Sequence, residues 1–139
     1  AARAPVLALP DDGRINLPIR RAVIAWDGGE QSAAALKAAI PLLGSCELVK
    51  VVSVIEKVGG FPATDALRYL SRNGIHAEFE ELERRGSTEE TLAAGVRQAQ
   101  ADLLVMGAYG KSRMREFLFG GVTAYFLSDK AAPALLFAH

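Results

Sequence analysis

The sequence predicts an α/β protein with a parallel sheet of five strands and helices on both faces of the sheet. Two observations carry this prediction. Short runs of Val, Ile and Leu recur along the 139 residues, and segments of helical periodicity separate them. Parallel neighbours need a long crossover, usually a helix, so this alternation favours βαβ units. Right-handed crossovers then give a doubly wound, Rossmann-like sheet, for which we expect the strand order 3-2-1-4-5.

The first three elements form one βαβ unit. Residues 21–26 are a buried strand that the turn Asp27-Gly28-Gly29 ends. A helix is predicted over 30–43, with Pro41 in its last turn, where the helix can end early or kink. The β-branched residues within 47–55 predict the second strand.

The middle of the chain continues the alternation. Residues 63–72 are a predicted helix that an Asn-Gly pair closes. Residues 75–82 are a strand whose second half is rich in glutamate, and such charge is typical of a protected edge strand. The capping-box pattern Ser-Thr-Glu-Glu starts a helix at Ser87 that runs to about Gln100.

The last elements are a strand over 103–106, a helical pattern over 122–131 and a closing strand over 134–137. In the expected order the first and fourth strands are neighbours, and the direction of the crossovers reverses between them. Ligands of such sheets bind beyond the carboxyl ends of the strands at that switch point. Asp27 and Gly107 follow these two strands, so we treat them as parts of one site.

The amino-acid composition limits the classes of function that the chain can have. Lys+Arg and Asp+Glu both number 16, and this balance argues against a nucleic-acid or membrane-surface protein. The lone cysteine, Cys46, forms no internal disulfide and favours a reducing cytoplasm; we interpret it as a small buried residue at a strand entrance. No apolar run approaches the length of a spanning helix.

The first 19 residues are predicted to be an extension or linker, and residues 20–139 the domain. The segment 4–10 resembles 132–138, since Ala, Pro and one Leu match in register. One interpretation is that 4–10 is the closing strand of a preceding copy of the domain, so that this chain is the second half of a tandem protein. The alternative is that residues 4–9 add to an edge of the sheet in place of the missing half.

Several familiar chemistries are excluded by spacing. The segment Gly110-Lys111-Ser112 is similar to the end of a Walker A loop, but that motif needs a glycine where Val105 stands. No Rossmann glycine fingerprint follows a strand, and neither His76 nor His139 has a metal-ligand partner at a useful spacing. No catalytic triad or dyad is evident, so we predict no catalytic residue and no protein-held metal.

The pattern Gly107-x2-Gly110-x9-Gly120 remains, placed after a strand and before a helix. Glycines expose backbone N–H groups and allow positive φ. A helix that opens on Gly120-Gly121 directs unpaired N–H groups and a positive dipole end at what lies in front of it, an arrangement that suits a phosphate. The alternative is a tight turn without a ligand.

Together with Ala25-Trp26-Asp27-Gly28 after the first strand, this pattern resembles the universal stress protein family over roughly residues 20–139. The resemblance implies the fold expected above. It also implies a choice of functions, because many members bind ATP whereas others do not and act as dimers. The closing strand 134–137 resembles the strand through which members pair.

The resemblance assigns nucleotide-binding roles. Asp27 would accept hydrogen bonds from the ribose, the backbone of Val54 would meet the adenine, and Met106 would border the base. The glycines would let the backbone approach the phosphates, and the start of the last helix would donate to them. The full set of implied cofactor-binding residues is Ala25, Trp26, Asp27, Val54, Met106, Gly107, Gly110, Lys111, Gly120, Gly121, Val122 and Thr123.

Some positions have a second interpretation. Gly121 stands where the family has Ser or Thr, and Thr123 is placed to compensate. Trp26 either fills the adenine space or packs in the core. Asp27 either contacts ribose or caps the following helix. Lys111, with Arg113 and Arg115, either supplies cations to the phosphates or forms a solvated turn.

The sequence is consistent with three functions. The first is a cytoplasmic stress-response module that binds ATP or ADP, with or without Mg²⁺, and pairs with a like domain. The second is a pairing or scaffold module whose site is degenerate. The third is a slow ATPase or autophosphorylating protein. In the first two, the partner is a second copy or the other half of a tandem protein, reached through strand 134–137.

Overall fold

A computed structural model describes residues 5–9, 17–54, 63–107 and 133–138. Six strands and three helices lie within these ranges. In chain order they are β1 Val6–Ala8, β2 Arg21–Ala25, α1 Glu30–Leu43, β3 Leu48–Val54, α2 Ala63–Arg72, β4 Glu78–Leu82, α3 Thr88–Ala99, β5 Leu103–Gly107 and β6 Ala134–Ala138. The predicted helix over 122–131 lies outside the described residues.

The sheet has the order β1-β6-β5-β2-β3-β4. The neighbours β4-β3-β2-β5-β6 all pair in parallel. When β2 is counted as the first predicted strand, this is the expected order 3-2-1-4-5, and the predicted α/β class is confirmed. The predicted count of five strands was wrong, because β1 adds a sixth strand antiparallel to β6. The outer edge of β6 carries backbone donors and acceptors that need partners, and β1 pairs with three of its five residues.

The two faces of the sheet are covered by different helices. Helices α1 and α2 pack on one face, on side chains that include Ile24, Val51, Val105 and Leu136. Helix α3 packs on the other face, on Val23, Val52, Leu104 and Leu135 among others. Because both faces are covered, the central strands read as continuous apolar runs. This is the two-sided arrangement that the sequence predicted.

Local signals set most of the element bounds. Helix α1 runs from Glu30 to Leu43 and includes Pro41. The predicted helix start at Ser87 is confirmed, because Ser87 is the N-cap of α3 and its Oγ accepts the Glu90 N–H at 3.1 Å. The predicted edge strand starts at Glu78 rather than residue 75, because the Ile75 N–H donates to the Leu70 carbonyl near the end of α2. It does lie at the sheet edge, where Lys50 pairs with Glu80 at 2.7 Å.

Cys46 lies just before β3 and is half-buried rather than fully buried. Burial, and secondarily the charge of Asp102, raises the pKa of its thiol. Since the thiolate is the reactive form of cysteine, Cys46 is a poor nucleophile. This agrees with its interpretation as a packing residue. None of the described helices combines the length and the apolar character needed to cross a membrane.

Asp102 joins the starts of the two central strands. Its Oδ2 accepts the backbone N–H groups of Arg20 at 3.2 Å and Arg21 at 3.1 Å. Its own N–H donates to the Arg21 carbonyl at 2.8 Å. One carboxylate therefore holds the entrance of β2 in register with the entrance of β5.

Replacing Asp102 with alanine should destabilise the chain. The half-buried Arg21 N–H and the exposed Arg20 N–H would both lose a charged acceptor, which costs about 1–3 kcal/mol, mainly at Arg21. Urea unfolding followed by circular dichroism measures the change in the free energy of unfolding. Glu47→Ala is the matched control, because the Arg20–Glu47 pair is 67% and 64% exposed and contributes little. Equal effects of the two substitutions would contradict this role of Asp102.

Candidate functional site

The topological switch point lies between β2 and β5. Ala25 is opposite Met106 on β5 and opposite Val52 on β3, so the ends of three strands meet at one edge. The β2–α1–β3 crossover leads away in one direction, while β5 and β6 continue the sheet in the other. The crevice outside the carboxyl ends of β2 and β5 is thus the place where a doubly wound sheet binds ligands.

The turn after β2 starts helix α1 within a few residues. Gly28 has φ of +80°, a conformation that glycine adopts without the steric cost of a side chain. Asp27 Oδ1 accepts the Gly29 N–H at 2.8 Å, and α1 begins at Glu30. The Asp27 carboxylate therefore sits directly in front of the helix N-terminus, where negative charge is favourable.

Ser32 fixes the orientation of Asp27. The buried Ser32 hydroxyl donates to Asp27 Oδ1 and accepts the Asp27 N–H at 3.3 Å. Asp27 is not the N-cap residue of α1, because Gly29 holds that position and has no side-chain cap bond. The cap alternative is therefore correct only in that the Asp27 carboxylate accepts the Gly29 N–H. The Gly29 N–H and the Ser32 hydroxyl both donate to Oδ1, and no donor among the described residues reaches Oδ2 of this exposed side chain.

Gly107, the last residue of β5, lies against the first turn of α1. A Cβ added at Gly107 would lie 2.6 Å from the Ser32 nitrogen and 2.8 Å from the Gln31 carbonyl carbon. A real Cβ essentially never lies this close to a non-bonded heavy atom, so only glycine allows this approach. The sequence assigned Gly107 to a phosphate-binding loop; the structure adds that it lets the start of α1 reach the end of β5.

Three other predicted site residues share the α3 face of the sheet. Ala25 and Val54 are half-buried, and Met106 is buried, all against the same core cluster. Ala25 and Met106 are register partners, while Val54 ends β3 one strand further along. The structure therefore brings Ala25 and Met106 together and places Val54 near the same edge.

Trp26 is directed to the opposite face. Its side chain is 7% exposed and packs in the cluster beneath α1 and α2. Its backbone is tied to β3, because its N–H donates to Val52 O and its carbonyl accepts from Ser53 Oγ, both at 2.8 Å. This is the core-packing alternative for Trp26, and the side chain does not lie with Met106.

The remaining predicted residues lie outside the described part of the chain. They are Gly110, Lys111, Gly120, Gly121, Val122 and Thr123. The glycine loop and the start of the following helix therefore stay predictions. Sequence reasoning missed Ser32 and Ser53. The only signal for Ser32 was a serine in the first turn of a helix that follows an aspartate, and Ser53 had none.

The fold and the switch-point turn define a class of α/β protein, and comparison with known proteins identifies the family. A profile of the universal stress protein family matches residues 18–137. The chain belongs to the universal stress protein family.

Relatives agree with this assignment. The chain is 36% identical over 72 residues to universal stress protein Slr1230 of Synechocystis sp.; the match covers 52% of this chain and 24% of that protein. The chain therefore matches about a quarter of the length of this curated relative.

Solved structures share the fold. A universal stress protein in complex with cAMP has a TM-score of 0.63 at 19% identity, covering 88% of this chain and 98% of that one. An Arabidopsis thaliana family protein with AMP bound has a TM-score of 0.57 at 12% identity, covering 84% and 88%. UspA from Lactobacillus plantarum has a TM-score of 0.66 at 15% identity, covering 86% and 97%.

Replacing Gly107 with alanine should push α1 away from β5. Such overpacking costs about 1–3 kcal/mol of unfolding free energy, measurable by urea denaturation. The matched control is Gly44→Ala. Gly44 has φ of −63°, and an added Cβ there meets no atom within 4 Å. A control that destabilises as much as Gly107→Ala would contradict the proposed close approach.

Proposed function

We propose that this chain binds an adenine nucleotide, ATP or ADP, at the switch point between β2 and β5. The observation that carries the proposal is the exposed Asp27 carboxylate, held in place by Ser32 and the Gly29 N–H at the end of β2. Two structures of similar fold support it, since one is a complex with cAMP and the other has AMP bound.

In this proposal each part of the site has one task. Asp27 accepts hydrogen bonds from the ribose hydroxyls through Oδ2, because Oδ1 is already occupied by Gly29 and Ser32. Ala25, Val54 and Met106 border the adenine on the α3 face. The glycine loop and the helix start at Gly120 contact the phosphates, and Lys111 and a bound Mg²⁺ balance their charge.

The position of Trp26 bears on the alternative of a degenerate site. A tryptophan in the adenine space would favour a module without nucleotide. Trp26 instead packs on the α1 face, away from Met106. This packing favours nucleotide binding over the scaffold alternative. Because Gly121 has no hydroxyl group where the family has Ser or Thr, we expect a weaker contact with the phosphates.

The second part of the proposal is pairing with a like domain through β6. All five residues of β6 are apolar and buried, and its pairing edge is the one that β1 covers. A strand of this composition needs a partner at its edge. Nucleotide binding at the carboxyl end of β5, the strand beside β6, would then bias how two domains associate.

Calorimetric titration with MgATP tests the proposal. The wild-type chain should give saturable heat, and Asp27→Asn should weaken binding about tenfold to a hundredfold. The asparagine carbonyl can still accept from Gly29 and Ser32, so the amide nitrogen would take the place of Oδ2 and could not accept from ribose. Gly110→Val should abolish binding.

Glu81→Gln is the matched control, since it makes the same carboxylate-to-amide change at an exposed residue of β4. It should leave the dissociation constant unchanged. A folded wild-type chain that gives no heat at millimolar MgATP would overturn the nucleotide proposal and favour the scaffold alternative.

A further inference from the structure

The pairing of β1 with β6 is unequal. β1 has three residues and β6 has five, and the register pairs Val6 with Phe137, Leu7 with Leu136 and Ala8 with Leu135. The end residues of β6, Ala134 and Ala138, have no counterpart in β1. The edge of β6 is therefore covered over only part of its length.

β1 is also poorly buried. Val6 is 40% exposed and Leu7 43% exposed, whereas Leu136 and Phe137 are 4% and 7% exposed. In the described sheet β1 has one strand neighbour, β6. A short strand with exposed apolar side chains at a sheet edge has little burial to hold it, and a longer strand could replace it.

One symmetric register pairs the whole of β6 with a second copy of itself. A two-fold axis normal to the sheet leaves the side chain of any given residue on the same face of the sheet in both copies. Side chains alternate between the faces along each strand, so two residues that lie opposite each other must have residue numbers that are equal or differ by an even number. An axis through Leu136 places Leu136 opposite Leu136 and pairs all five residues of β6 with their mates.

This register also shows which residues of the second copy would occupy the position of β1. Leu7 lies opposite Leu136, so the second copy's Leu136 would take the place of Leu7. The similarity between 4–10 and 132–138 would instead align Leu7 with Leu135. That register is one residue out of step and would turn every side chain to the other face. The structural match is therefore between β1 and residues 135–137.

We propose that β1 is a displaceable strand: the edge of β6 takes either β1 of its own chain or β6 of a second copy, with the two-fold axis at Leu136. This inference rests on the pairing part of the proposed function and adds its regulation. Release of β1 opens the edge for a partner, and docking of β1 closes it.

Disulfide trapping in the 139-residue chain tests the inference. Cys46→Ser removes the one native thiol, and Leu136→Cys then places a thiol on the axis. Opposed residues of antiparallel strands are close enough for a disulfide. Under mild oxidation Leu136→Cys should give covalent dimers, whereas Leu135→Cys, whose mate lies two residues away, should react far more slowly.

Weakening β1 should speed this trapping. Val6→Gly with Leu7→Gly removes the side chains of β1 that favour a strand and should raise the crosslinking rate of the Leu136→Cys chain about tenfold or more. Leu9→Gly is the matched control, because Leu9 is 45% exposed and lies just outside the β1 register. It should leave the rate unchanged.

The possible outcomes distinguish displacement of β1 from pairing through β6. Crosslinking of Leu136→Cys that the β1 substitutions do not speed would overturn β1 as a competitor and leave pairing in place. Leu136→Cys that crosslinks no faster than Leu135→Cys would overturn the register. Chains that neither crosslink nor sediment as dimers, with or without the β1 substitutions, would overturn pairing itself.

Discussion

The contact between the end of β5 and the first turn of α1 is the constraint on which the site depends. A Cβ at Gly107 would lie 2.6 Å from the Ser32 nitrogen, so the helix start can reach the switch point only over glycine. That contact places Ser32 beside Asp27, and Ser32 in turn fixes which carboxylate oxygen faces outward. Without it, the exposed Asp27 carboxylate would keep the Gly29 N–H and lose the Ser32 hydroxyl as a donor to Oδ1.

A pattern of apolar residues made most of the fold predictable. The bounds of α1 and α2 and the order of β2 to β6 follow from periodicity and the handedness of crossovers. The edge position of β1 was one of two interpretations of residues 4–9, because a three-residue apolar segment carries little signal for its partner. The start of β4 was missed because Ile75 is apolar and buried without being in a strand.

The site was only partly predictable. Asp27 and Gly107 could be assigned because both end strands that the expected order makes neighbours. The roles of Ser32 and Ser53 depend on contacts made across a turn or between strands, and a linear pattern does not record them. Trp26 shows the same limit: its packing face depends on the parity of the strand that precedes it, and the sequence left both alternatives open.

The central claim is that the end of β2, the start of α1 and the end of β5 form one nucleotide site. A ¹⁵N–¹H correlation spectrum recorded during titration with MgATP tests this claim most directly. We expect saturable shifts at the amides of Gly28, Gly29, Ser32 and Gly107, with little change in β4 at the far edge of the sheet. Shifts scattered over the surface, or none at these four amides at millimolar MgATP, would contradict the account.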